Sequence, residues 1–274
     1  MKLENPRVPE EMNLSRVHPL KEFFSLILVV TLALGAAVWG LSFAAGWAAR
    51  FIPLETERLL APGLDTLIGD SRAGDPETQA YLQSLTHRLL RHTDLNPADV
   101  SVTCIESPDA NAFATLGGQI VVLSGLVDIM PDENALAMVL AHEIGHVQSR
   151  HVIVATGRGL TIALAGMVLL GATGSDAISS LTSLVSTSAI LSFSREQERE
   201  ADQFALQILQ AEYGHTGGAT DFFDSLTSSH DDSRLQQFFN THPAPADRVR
   251  EIRALSEARG WPMDGERTSL ELHH

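Results

Sequence analysis

Phe23 to Ala49 reads FFSLILVVTLALGAAVWGLSFAAGWAA, 27 residues (23 to 49) without a formal charge. A helix rising ~1.5 Å per residue crosses a bilayer core with about 20 such residues. Because no water reaches the core, every backbone polar group must bond within the segment, which a helix achieves. The run therefore predicts one transmembrane helix, since two would need roughly 40 apolar residues and a turn. A cleaved signal peptide is the alternative; its apolar core would be much shorter, although AAGWAAR resembles a cleavage site. Lys2, Arg7, Arg16 and Lys21 precede the run, and only Arg50 and Arg58 follow it closely. By the positive-inside rule, residues 1–22 form a cytoplasmic segment and the rest of the chain lies beyond the membrane, in a bacterial periplasm or an equivalent space.

What remains of the 274 residues is enough for one domain of about 150 to 200 residues. A single cysteine, Cys104, excludes an internal disulfide framework and any cysteine-built zinc site, so a metal would need His and carboxylate ligands. In VSVTCIE it reads as a small buried strand residue. The net charge of −15 repels a phosphate backbone and argues against nucleic acid as a partner.

Pro53, Pro62, Gly63, Gly69, Gly74 and Pro76 mark residues 50–76 as a linker, with one short helix around Leu54 to Leu60. Helical spacing of Tyr81, Leu82, Leu85, Leu89 and Leu90 opens a domain at residues 77–260. Val100 to Glu106 is β-like. Gly117-Gly118 followed by Ile120 to Leu123 suggests a hairpin or an edge strand. Two short apolar stretches within 160–193 suggest a helical hairpin that packs on the domain or touches the membrane, and residues 261–274 read as a polar tail. The fold class is α+β, predominantly α-helical, with a small β-sheet.

MPDENALAMVLAHEIGHVQSRH is the clearest helix. Asp132 is placed to cap it, Glu133 suits its first turn, and Leu136, Val139, Leu140, Ile144 and Val147 form an apolar stripe. On that helix His142 and His146 stand about 40° apart at ~100° per residue, with Glu143 beside them. His-Glu-x-x-His in this setting is the spacing by which two imidazoles hold one zinc and the glutamate serves as general base. A chance match is on the order of a few per cent, so the motif needs a third ligand. His151 would lie about 180° round the helix from His142 and reads as structural or surface. His87, His92, His215 and His230 lack partners at ligand spacing and read as solvent-facing.

A second helix, SFSREQEREADQFALQILQ, offers four carboxylates. Measured from the mean direction of Ala201, Phe204, Ala205, Ile208 and Leu209, Glu198 lies roughly 50° away, Asp202 about 90°, Glu200 about 110° and Glu196 about 150°. Glu198 is thus the carboxylate most turned toward the core. Asp202, one turn further on, can orient a ligand histidine. Glu196, Glu200 and Arg199 fit an exposed face.

HEIGH followed by SREQEREAD, with NAFATLGGQIVVLSGL upstream and THPAPADRVREI downstream, resembles the M48 family of membrane-associated zinc metallopeptidases. The resemblance spans roughly Thr78 to Ala254. It implies a zincin-type fold of the gluzincin kind and one zinc per chain, held by His142, His146 and Glu198, with Glu143 as catalytic base and Asp202 behind a ligand. It also implies that His242, in the His-Pro segment, sits over the metal as an oxyanion stabiliser or an inhibitory ligand; Arg248 is a second candidate near the substrate. The strand at Gly118 to Leu123 would take an extended peptide, with Asn111, Ala112 and Gly118 beside the cleft.

The expected function is that of a membrane-anchored zinc endopeptidase acting on misfolded or membrane-associated envelope proteins, with accessory envelope proteins as further partners. Two alternatives stay open. A CAAX-type prenyl-protein protease would belong to a branch with many more spans. A chaperone-like binding module, shut by His242, would have no use for Glu143.

Overall fold

The computed structural model describes residues 19–60, 73–170, 193–223, 242 and 245–270. The uncharged run forms helix α1 (Pro19–Ala49), and its large apolar side chains face outward, Leu32 at 63% and Trp39 at 73% exposure. Among the described residues, Leu20–Ala49 is the one helix long and apolar enough to cross a membrane.

Helix α2 (Leu54–Leu60) follows directly and is pinned to the domain by polar contacts as well as by Leu54, which packs against the core. The Gly117 N–H donates to Glu57 Oε2 at 2.9 Å, and Arg58 Nε donates to the Gly117 carbonyl at 3.0 Å. Gly117 and Gly118 have φ of 77° and 76°, and a Cβ on Gly118 would lie 2.1 Å from the Asp99 carbonyl oxygen. Only glycine fits a left-handed turn under that contact.

Helix α3 (Pro76–Leu90) begins where Asp75 accepts the N–H groups of Glu77 and Thr78. Three strands come next: β1 (Ser101–Ile105), β2 (Ala112–Thr115) and β3 (Gln119–Leu123). Their order is β1-β3-β2, with β3 parallel to β1 and antiparallel to β2. Of the two readings of Gly117-Gly118 and the strand after it, the hairpin is the one formed, by β2 and β3, and the edge position is corrected, because β3 lies in the centre. Ile120, Val121 and Val122 are each fully buried, the continuous apolar run of a strand covered on both faces. Gly74 N and the Gln79 side chain bond the outer side of β1, and β2 is the other outer strand, with no strand paired to its far side among the described residues.

After the short helix α4 (Ser124–Asp128), the motif helix α5 (Glu133–Gln148) runs through the middle of the domain. It does not present a stripe: every residue from Glu133 to Val147 is buried, because α3, β2 and the later helix α7 pack around it. Asp132 caps it by accepting the Ala135 N–H at 2.9 Å. Glu133 N donates to the Thr268 carbonyl and Thr268 N to Asn134 Oδ1, each at 2.9 Å. The part of the polar tail that is described, 261–270, thus straps the start of α5 and satisfies a helix N–H that would otherwise be orphaned.

Helix α6 (His151–Leu170) lies along α1, with Gly157 facing Ala45 and Ala49. The rest of the apolar hairpin expected at 160–193, up to its last residue Phe193, lies outside the described residues. Helix α7 (Arg195–Tyr213) opens with a capping box between Ser194 and Gln197 and closes at Gly214 in the left-handed region. Helix α8 (Pro245–Arg259) packs on α7.

Candidate metal centre

Gly145 explains how two ligand-bearing helices come close enough to share an ion. A Cβ at that position would meet Ala201 Cα and Phe204 Cδ1 at 3.2 Å, so α5 and α7 touch almost backbone to backbone there. Across the contact, His142 Nε2 lies 3.0 Å from His146 Nε2, and each is 3.5 Å from an oxygen of Glu198. His242 Nδ1 joins them, 3.1 and 3.2 Å from the two Glu198 oxygens and 3.4 Å from His142 Nε2. All four residues are buried, none more than 4% exposed.

These four ligand atoms lie within 4.8 Å of one another. Bonds of ~2.0–2.1 Å to a tetrahedral ion give ligand-to-ligand edges of roughly 3.3–3.4 Å, close to the separations seen. Three imidazole nitrogens and one carboxylate buried this close together are a costly arrangement unless a cation is shared. The residues present fit a divalent metal.

His142 and Glu198 are held from behind. Asp202 Oδ1 lies 2.9 Å from His142 Nδ1. Arg248 reaches Asp202 through Nε and Nη2 at 2.9 and 2.6 Å, and Glu198 through Nη1 at 2.8 Å. Arg248, expected near the substrate or as an oxyanion residue, has its guanidinium buried and committed to two carboxylates in this structure, a fork for which arginine geometry is suited.

Burial alone would depress the His142 imidazole, but Asp202 and Glu198 outweigh it and push it up to about 9. Burial dominates at His146, which is held well below the usual range and so presents a bare lone pair. Burial would raise Glu198, yet His242, His142 and His146 together bring it far below the carboxylate range. Asp202 is likewise lowered, against its burial, by Arg248 and His142.

Glu143 stands beside the cluster, outside it. It is fully buried. Its Oε2 accepts the Ala114 N–H of β2 at 2.8 Å. Its Oε1 lies 3.4 Å from His242 Nε2 and takes no hydrogen bond among the described residues. Burial raises its pKa against the nearby imidazoles, toward the neutral range in which a general base is most effective.

Among the remaining sequence expectations, Asn111 and Ala112 lie at the start of the edge strand, both buried, with the Asn111 carbonyl bonded to Leu123 N. Gly118 serves the turn beneath α2, facing Asp99 and Leu54. His215 is buried, its Nε2 3.0 Å from the Glu266 carbonyl oxygen, so its solvent-facing reading is corrected. His92 is exposed but 2.8 Å from Glu212, His87 is exposed, and His230 lies outside the described residues.

His151 departs most from expectation. The motif helix ends at Gln148, Arg150 takes a φ of 61°, and the chain doubles back so that His151 Nδ1 lies 3.0 Å from His146 Nδ1. Periodicity could not have found it, because neither glycine nor proline marks the break.

Two imidazoles four residues apart, a carboxylate from a neighbouring helix and a separate buried glutamate alongside are the ligand and base arrangement of the metal-dependent peptide hydrolase class. The chain belongs to peptidase family M48, whose family model matches residues 76–256. It is 31% identical over 189 residues to the beta-barrel assembly-enhancing protease of Escherichia coli K12, covering 65% of this chain and 39% of that protein. It is 33% identical over 174 residues to metalloprotease LoiP of the same organism, covering 61% and 67%. To the mitochondrial metalloendopeptidase OMA1 of Schizosaccharomyces pombe it is 28% identical over 200 residues, covering 68% and 59%. The chain spans about two fifths of the length of the beta-barrel assembly-enhancing protease. Helices α1 and α2 precede the matched region.

Proposed function

We propose that this protein is a zinc endopeptidase of gluzincin type, anchored by α1 with its catalytic domain on the periplasmic side, that cleaves misfolded or membrane-associated envelope proteins. The observation that carries the reading is the position of Glu143. One of its oxygens is tied to the edge strand and the other is turned toward the ligand cluster, so the base stands between the substrate's path and the metal. The names of its relatives, a beta-barrel assembly-enhancing protease and two further metalloproteases, support protein substrates in the envelope, met alone or with accessory proteins.

His142, His146 and Glu198 would hold the zinc, in a nitrogen and oxygen donor set that suits it. When bound, zinc supplies Lewis acidity toward the scissile carbonyl and the attacking water. Glu143 takes the proton of that water and delivers it to the leaving amine. Asp202 fixes the His142 ring, and Arg248 fixes Asp202 and Glu198. An extended substrate would pair with β2, whose residue Ala114 turns its N–H away from β3, so the binding strand is Ala112–Thr115 rather than the inner strand first expected.

His242 Nδ1 sits among the ligand atoms, which favours a shut resting state over an oxyanion role in this conformation. The same contact keeps a second reading in view, a binding module whose metal site stays closed.

Purified full-length protein in detergent tests both. Glu143→Gln should retain stoichiometric zinc and lose casein hydrolysis by at least 100-fold, on the order expected for a general base. Zinc-loaded wild type that cleaves nothing, even with His242 replaced by alanine, would transfer the case to the binding module. Membrane proteomes of cells carrying wild type or Glu143→Gln should differ in accumulated envelope proteins; identical proteomes would remove the quality-control role.

A further inference from the structure

His146 has two ring nitrogens, and the geometry accounts for both. Its Nε2 faces the ligand cluster and must offer a lone pair to a metal, so the ring proton resides on Nδ1. The Nδ1 of His151, 3.0 Å away, faces that proton. His151 can accept it only through a bare Nδ1, which puts the His151 proton on Nε2. There it meets Glu200 Oε2 at 3.3 Å, and Glu200 is itself held by the Ser149 hydroxyl at 2.8 Å. Phe193 stacks on the His146 ring, centroids 3.9 Å apart and planes 21° from parallel, so the ring is fixed in its plane as well as at its edge.

On a continued helix, residue 151 would stand ~140° round from residue 146 and could not reach it. The break is what brings it back. Arg150 adopts a left-handed backbone, a conformation that a non-glycine residue keeps only where its surroundings impose it. Those surroundings are visible: the Arg150 guanidinium contacts the Ile52 carbonyl and the buried Glu57 carboxylate. Both belong to the segment that joins α1 to the domain. His151 is only 2% exposed, and nothing in its burial by apolar neighbours would require a nitrogen to be aimed at His146.

Resting on the zinc-site reading above, we propose that His151 is a positioning residue for the metal: it orients ligand His146 through an Nδ1-to-Nδ1 hydrogen bond, with Glu200 fixing its tautomer. His142 has a carboxylate in this place, Asp202. His146 has a histidine backed by a carboxylate, so the two ligand imidazoles are braced by different groups. Partners that hold the far nitrogen of a metal-bound histidine set its orientation and basicity, and losing one costs about 10- to 100-fold in metal affinity.

The test uses full-length protein in detergent and four variants. Zinc affinity by chelator competition should fall about 10- to 100-fold in His151→Leu. It should stay within about threefold of wild type in His151→Gln, whose side-chain oxygen can still accept the His146 proton. Thermal unfolding of the metal-free proteins should be alike for the two variants, which separates orientation from packing. The 15N-histidine spectrum of zinc-loaded wild type should show His151 protonated on Nε2, and Glu200→Leu should weaken that preference. Equal affinities for His151→Leu and wild type, equal losses in the leucine and glutamine variants, or a proton on Nδ1 of His151 would each overturn the proposal. If the zinc-site reading itself is wrong, wild type takes up no zinc and Glu198→Gln behaves like it; the proposal then falls too, by a different result.

Discussion

His142 Nδ1 lies 2.9 Å from Asp202 Oδ1, and Asp202 stands one helical turn beyond the ligand Glu198 on α7. One helix therefore supplies both a carboxylate of the candidate metal cluster and the carboxylate that contacts one of its imidazoles. Asp202→Ala should weaken zinc binding by about 10- to 100-fold in a chelator competition. Asp202→Asn, which keeps an acceptor oxygen but not the charge, should lose less. A wild-type affinity in Asp202→Ala would mean that the α5 and α7 backbones alone orient His142.

Gly145 sits where α5 and α7 are closest. An alanine in a helix interior gains roughly 1 kcal/mol over glycine from propensity, so substitution would ordinarily stabilise. Here the added carbon meets Ala201 Cα at 3.2 Å and the Ala201 carbonyl oxygen at 3.3 Å. Backbone atoms in a packed helix cannot swing aside, and overpacking costs about 1–3 kcal/mol. Gly145→Ala should therefore lower the melting temperature and weaken zinc binding together, and Gly145→Val should do so more strongly. A higher melting temperature with unchanged zinc affinity would show that α7 yields freely.

Why were some of these residues legible in the sequence and others not? His142, Glu143 and His146 share one helix, where spacing becomes geometry, and Glu198 followed from the phase of its own helix. Arg248 did not, because its role depends on Asp202 and Glu198, which only the packing of α8 on α7 brings to it. The same holds for β3: Ile120 to Leu123 read plainly as a strand, but strand order is set by how three segments pair and no residue in β3 encodes its place in the centre. His151 was hidden by a helix break at Arg150 that is imposed from Glu57 and Ile52, far back in the chain. The last segment looked like a polar tail by composition, whereas it is its backbone, at Thr268, that docks on α5.

His242 Nδ1 competes for the position a substrate carbonyl would need, 3.1 Å from Glu198 Oε1. His242 lies on neither α5 nor α7, so its replacement leaves both helices in place. His242→Ala should raise basal hydrolysis of an unfolded substrate several-fold while zinc affinity falls, since one of four ligands is gone. Peptide cleavage and zinc content measured on the same preparation check this. A hydrolysis rate reduced by 100-fold or more with zinc still bound would instead assign His242 to oxyanion stabilisation.

Glu133 anchors the start of α5 away from the metal. It is 3% exposed, it accepts from Arg88 at 2.7 and 3.1 Å, and it accepts from the Tyr81 and Tyr213 hydroxyls at 2.5 and 2.9 Å. Burial would raise its pKa, but Arg88 and the two tyrosines prevail and hold it below its ordinary value of 4.5. A carboxylate whose pKa is lower folded than unfolded binds protons more readily in the unfolded chain, so it stabilises the fold fully above the unfolded value and loses that contribution as pH falls through the folded one. Glu133→Gln should accordingly cost about 1–3 kcal/mol at pH 7, below the full penalty for breaking a buried pair because Arg88 is partly in water. In a domain of this size that is a drop of roughly 3–9 °C in melting temperature. The gap between wild type and variant should narrow as the pH falls from the unfolded value through the folded one, because the wild-type carboxyl becomes protonated over that range. A gap that stays constant from pH 7 to pH 3 would show that the hydrogen bonds, and not the charge, hold this end of the helix.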